Sequence, residues 1–112
     1  VAPGTHGLHL HETGRCDPPG FESAGPHVNP SRRAHGLRNP AGAHAGDLPN
    51  VRASSAGVID TTLVLARSVL GADVAGAGAP ARAIVLHARA DDLMTDPSGN
   101  SGARIACGVL GP

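Results

Sequence analysis

THGLHLHE, residues 5–12, is the stretch from which the fold can be read. Leu8 and Leu10 fall on one side of a period-2 pattern and Gly7, His9 and His11 on the other, which predicts a β-strand closed off by Gly14. Residues two apart on a strand leave the same face with their bases about 7 Å apart, so both rings can reach one metal ion. By itself the His-x-His pattern also fits two surface imidazoles. The stretches 51–53, 57–65, 81–87 and 104–110 read as further strands, the second entered from a Ser-Ser-Ala-Gly turn. Residues 61–70 could be helical by composition, but Gly71 and the β-branched residues favour strand. About five strands with long loops predict an all-β antiparallel sandwich or barrel, and five are too few to close one comfortably. His87, at the end of an apolar strand, could supply a third ring nitrogen or be an ordinary strand-end histidine.

With 112 residues the chain is long enough for one domain and too short for two. Nine arginines, no lysine and nine acidic residues give zero formal charge, which argues against a nucleic-acid partner because phosphate affinity rests on uncompensated cations. Phe21 is the single aromatic residue, so there is no stacking platform for bases. No apolar run approaches the roughly 18 residues that a membrane span needs. Two cysteines 91 positions apart exclude a local Cys-x-x-Cys motif and leave either a long-range disulfide or two unrelated thiols.

From Gly14 to Asn50 neither period is sustained, and Pro recurs at 18, 19, 26, 30, 40 and 49. A loop that long inside a compact domain needs something other than a core to pin it. It carries His27, His35, His44 and Asp47, a donor set that fits a closed, four-coordinate zinc. Metal affinity there would become folding free energy. The competing reading is a solvated loop with three incidental histidines. Residues 90–102 are again irregular, with Asp-Pro at 96–97.

HGLHLHE at 6–12, SAGPHVNP at 23–30, RAHG at 33–36, HAGDLPNV at 44–51, LHARADDL at 86–93 and GNSGARIACGVLG at 99–111 together resemble the copper/zinc superoxide dismutases. The blocks stand in family order and span nearly the whole chain, and their wording is similar to that of the bacterial secreted members. The resemblance implies a Greek-key β-barrel or sandwich over 1–112 as one domain, with long metal-binding and electrostatic loops. The family barrel has eight strands and the likeness begins at about the fourth, so some three N-terminal strands are expected to be missing ahead of Val1.

The same resemblance implies roles for particular residues. His9, His11, His27 and His87 match copper ligands, and His27, His35, His44 and Asp47 match zinc ligands. His27 thus corresponds to a bridging imidazolate, catalytic as a proton donor. Arg104 matches the arginine that attracts the anion. Asp91 matches an aspartate linking a copper-bound to a zinc-bound ring, here His9 and His35. His6 matches a histidine that ties backbone together beside the copper site, and Cys16 and Cys107 match an intrachain disulfide. The implied reaction is disproportionation of superoxide to dioxygen and hydrogen peroxide by copper redox cycling beside structural zinc. A periplasmic or extracellular location and a possible homodimer follow from the same likeness. A second reading is a copper/zinc-binding or copper-carrying module without turnover; retention of Arg104 argues against it, since sequestration needs no anion path. A third, a disulfide-linked structural domain with incidental histidines, leaves the matched blocks unexplained.

Overall fold

The computed structural model describes residues 1–65 and 81–110. Five strands appear among them: β1 (Gly4–His6), β2 (Leu8–His11), β3 (Val51–Ala53), β4 (Arg82–His87) and β5 (Arg104–Leu110). A single 3₁₀ turn, Glu22–Ala24, is the one helical element among the described residues. The chain is all-β. β1 pairs antiparallel with β3, and β2, β4 and β5 form a second antiparallel sheet in the order β2-β4-β5. No helix of the described residues is long and apolar enough to cross a membrane.

The single strand expected over residues 5–12 is two strands in two sheets. Gly7 is the break, and its backbone bonds across to the His87–Arg89 segment, donating to Arg89 O at 2.8 Å and accepting from His87 N at 2.9 Å. A Cβ there would meet Ser101 Cβ at 2.9 Å and Asp91 Cβ at 3.3 Å, so the close approach requires glycine. The strand expected over 57–65 does not form: after a turn at Gly57, residues 58–65 are irregular. Val58 and Val64 face solvent while Leu63 and Leu65 pack on the leucine core. Apolar alternation is satisfied there without any described strand alongside to complete a ladder. The helix-or-strand alternative for 61–70 lies partly outside the described residues.

Register explains how one sheet serves two environments. His9 stands opposite Val85 and His11 opposite Ala83, while Val85 stands opposite Cys107. One face of the β2-β4-β5 sheet therefore carries the histidines beside small apolar residues. That face is covered by a cluster of Ala24, Ala83 and Val85 with the Cys16–Cys107 disulfide. The other face gathers Leu10, Val28 and Leu48, joined by Leu8, Ile84 and Leu110. In the chain-entropy view, closing a loop of this length contributes about 4 to 5 kcal/mol. A register irregularity at Leu86/His87 turns the end of β4 toward the loops.

The long loop is tied to β2 by a three-way backbone knot. Leu10 N donates to Gly46 O at 2.8 Å, Gly46 N to Val28 O at 2.9 Å and Val28 N to Leu10 O at 2.9 Å. These three residues flank His9, His11, His27 and Asp47, so the knot sets the spacing of the side chains that follow. A Cβ on Gly46 would collide with Leu10 O and crowd Val28 N. Gly46→Ala is expected to destabilise the fold by about 1 to 3 kcal/mol, as overpacking does, seen as a lower urea midpoint at unchanged slope.

Candidate metal centre

All seven histidines are buried, together with Asp47 and Asp91. β2 supplies His9 and His11, β4 supplies His87, and the long loop supplies His27, His35, His44 and Asp47. His27 lies at the centre, its ring stacked on His9 at 4.1 Å and edge-on to His11, His44 and His35 at 4.7, 5.1 and 5.2 Å.

Four rings have the same polarity. His9 Nε2 donates to Asp91 Oδ2 at 2.6 Å, and His35 Nε2 lies 2.9 Å from both Asp91 oxygens. His11 Nδ1 donates to Gly25 O at 2.6 Å and His87 Nδ1 to Gly102 O at 3.1 Å. The acceptors fix the ring protons on those nitrogens. The opposite nitrogens, His9 Nδ1, His11 Nε2, His35 Nδ1 and His87 Nε2, are buried with no hydrogen-bond partner. Leaving such a group unsatisfied costs about 1 to 3 kcal/mol each, and a cation removes that cost.

Two groups of donor atoms follow from this polarity. His9, His11, His27 and His87 place one ligand atom each within 4.8 Å of one another, as do His9, His27, His35 and Asp47. His44 joins the second group through Nδ1, which lies 3.0 Å from His27 Nδ1 and 3.3 Å from Asp47 Oδ1. Asp47 Oδ1 is also 2.9 Å from His27 Nδ1 and from His35 Nδ1. Its Oδ2 accepts the backbone N–H groups of Gly36 and His44, each at 2.9 Å. Three ring nitrogens and a carboxylate oxygen thus turn their electron-rich atoms toward one point, which suits a cation. Imidazole nitrogen suits copper and zinc alike, and the nitrogen-plus-carboxylate set suits tetrahedral zinc.

The site electrostatics agree with this picture. Burial, reinforced by neighbouring His27, pushes His9 down from 6.5 to about 3. Burial does the same to His11, also to about 3, and lowers His27 and His87. Burial acts to raise Asp47, but hydrogen bonds from His27 and the Gly36 amide hold it below the usual carboxylate range. Asp91 is likewise held down, against burial, by His35 and His9. The rings of His9, His11, His27 and His87 are therefore neutral and the two carboxylates charged at neutral pH, the protonation states that metal binding requires.

The remaining residues singled out in the sequence frame this centre. His6 Nδ1 and Nε2 lie 2.7 Å from His87 O and Ala2 O, tying β1 to the end of β4. Arg104 Nη1 donates to Phe21 O at 2.9 Å. A cavity of about 550 Å³ opens over the centre and is lined by His11, His27, His44, His87, Arg104 and Arg33, with Glu12 and Asp96 at its wall. Cys16 and Cys107 are bonded to each other. The sequence reading did not single out Asn50, whose side chain accepts from Asp91 N at 2.8 Å and donates to Asp91 O at 2.9 Å. Asp96, visible in sequence as half of an Asp-Pro turn, accepts from His35 N at 2.8 Å.

A pair of histidine-rich donor groups with the rings of His9 and His27 in common, seated on an antiparallel all-β scaffold beside a disulfide, defines a two-metal protein of the copper-and-zinc kind. Residues 1–110 match the family model for copper/zinc superoxide dismutase (SODC), and the chain belongs to that family. It is 43% identical over 108 residues to superoxide dismutase (Cu-Zn) 1 of Aquifex aeolicus, covering 92% of this chain and 62% of that protein. It is 44% identical over 106 residues to the superoxide dismutase-like protein YojM of Bacillus subtilis, covering 93% of this chain and 54% of that one. The crystal structure of a double mutant of a SOD-like protein from Bacillus subtilis superposes with a TM-score of 0.84 at 39% identity, covering all of this chain and 74% of that one. The chain thus spans between about half and two thirds of the length of these curated relatives.

Depressed ring pKa values make the metal-free fold acid-sensitive. Between the unfolded value of 6.5 and the folded value of about 3, the unfolded chain binds protons that His9 and His11 refuse. Stability is therefore fully present above 6.5 and is lost as pH falls, by about 1.4 kcal/mol per pH unit for each such ring. Urea midpoints of the metal-free protein, expressed from its complete reading frame, are expected to fall steadily from pH 7 to pH 4. A flat profile over that range would contradict burial of neutral rings.

Proposed function

We propose that the protein dismutates superoxide, with His9, His11, His27 and His87 holding copper and His27, His35, His44 and Asp47 holding zinc. The observation that carries this reading is the set of four buried, partnerless ring nitrogens turned inward around His27. Copper bound there supplies the one-electron oxidation and reduction by which two superoxide anions and two protons become dioxygen and hydrogen peroxide.

The chain's own residues do the rest. His27 Nδ1 faces Asp47, so its Nε2 is the ring atom left to hold and deliver a proton at the cavity wall. Asp91, bonded to His9 and His35 at once, fixes one ring of each metal group and couples their orientations. His6 holds the carbonyl of His87 and steadies the end of β4. Arg104 is only partly buried, and Phe21 O takes up one of its nitrogens. The rest of the guanidinium is free to draw an anion into the cavity, aided by Arg33, while Glu12 and Asp96 limit how strongly anions are retained.

Residues 1–112 act as one domain in this reading. The Cys16–Cys107 bond persists where thiols are not kept reduced, which supports a periplasmic or extracellular location. The family reading extends to a homodimer.

Loaded with both metals and expressed from its complete reading frame, the protein is expected to dismutate superoxide far faster than the same amount of free copper. Arg104→Gln is expected to lower the second-order rate constant by about tenfold and to flatten its dependence on ionic strength, with copper content unchanged. Turnover no better than free copper would favour the copper-carrying alternative, and a variant equal to the wild type would overturn the role given to Arg104.

A further inference from the structure

Asp96 sits on the loop between β4 and β5, and its side chain is 64% exposed. Its Oδ1 nevertheless meets two of the residues gathered at Asp47, one through its backbone and one through its ring. It accepts the backbone N–H of His35 at 2.8 Å and lies 3.7 Å from Nε2 of His44. The second distance is longer than a direct hydrogen bond. His44 Nδ1 is turned toward His27 and Asp47, so Nε2 is the nitrogen left to carry the ring proton.

A ring that gives one nitrogen to a cation is oriented by what its other nitrogen meets, most often a carboxylate or a carbonyl. His9 and His35 have Asp91 for this purpose, and His11 and His87 have the carbonyls of Gly25 and Gly102. For His44, Asp96 is the facing group among the described residues. Bonds from Arg38 and Asn39 to Leu93 and Met94 bring the carboxylate there, with Asn39 also braced on its own loop. Arg38 N donates to Leu93 O at 3.0 Å, and Asn39 Nδ2 donates to His35 O at 3.0 Å and Met94 O at 3.1 Å. Gly36, at φ +123°, has no room for a Cβ against Leu93 O.

We propose that Asp96 is a positioning residue of the zinc half of the centre, orienting His44 through its Nε2–H and anchoring the backbone of His35. The proposal rests on the reading of His27, His35, His44 and Asp47 as the zinc ligands. The short β4–β5 loop then has a task beyond covering the cavity: it finishes the zinc site from outside.

Zinc affinity of the full protein, measured by competition with a chromophoric chelator, and the visible spectrum with cobalt(II) in place of zinc test this without any activity assay. Asp96→Asn keeps an acceptor for His35 N–H while removing the charge facing His44, and its exposure makes a folding failure no obstacle. It is expected to weaken zinc binding about tenfold, the lower end of the range for such partners, and to shift the cobalt bands, with copper affinity unchanged. Asp96→Ala is expected to weaken zinc at least as much. His44→Ala serves as the control for the ligand assignment and should abolish tight zinc binding. If that control behaves so while both Asp96 variants match the wild type, the proposal fails and the ligand assignment stands. If both variants weaken copper as much as zinc, Asp96 is merely structural and the proposal likewise fails. If the wild type takes up no zinc, or His44→Ala takes it up normally, both readings fall together.

Discussion

Neutral imidazole nitrogens buried without partners are the constraint on which this structure turns. His9, His11, His35 and His87 each spend one nitrogen on a carboxylate or carbonyl and direct the other into a space that holds no protein donor. Together with three ring nitrogens facing Asp47 Oδ1, this arrangement is costly for the polypeptide alone. It becomes favourable only with positive charge at its centre. The long irregular segment from 15 to 50 contributes Ala24, Val28 and Leu48 to the apolar clusters, and metal bound by the ligands it carries would add to its hold.

The scaffold divides its labour by face. The leucine side of β2 and β4 packs with Val28 and Leu48, and the histidine side is sealed by Ala24, Ala83, Val85 and the disulfide. The backbone knot of Leu10, Val28 and Gly46 ties the loop to the strand next to both sets of ligands. Rigidity at the centre therefore comes from backbone geometry and covalent closure as much as from apolar burial.

Much of the site was legible because its chemistry lies in residue identity. His-x-His on an alternating strand, three histidines and an aspartate in a loop without a period, and two distant cysteines are visible without coordinates. The matched family blocks then supplied the expectation that His27 is shared, and the pairing of Cys16 with Cys107 that the structure contains. What sequence could not convey depends on tertiary contact. Gly7 splits a continuous alternating pattern because Ser101 and Asp91 press on it from another loop. The alternation at 57–65 buries Leu63 and Leu65 yet gains no ladder, since period-2 patterning records which side chains are buried and not whether a neighbour strand exists. Asp96 reads locally as a turn residue, and only the folding of its loop onto residues 35–39 puts its carboxylate beside His44.

The central claim is that two cations share the ring of His27. Anomalous X-ray scattering at the copper and zinc absorption edges, from crystals of the protein loaded with both metals, addresses it directly. The account requires two separate peaks, copper among His9, His11 and His87 and zinc among His35, His44 and Asp47, with one nitrogen of His27 bonded to each. A single peak, or a His27 ring bonded to one ion and remote from the other, would contradict it.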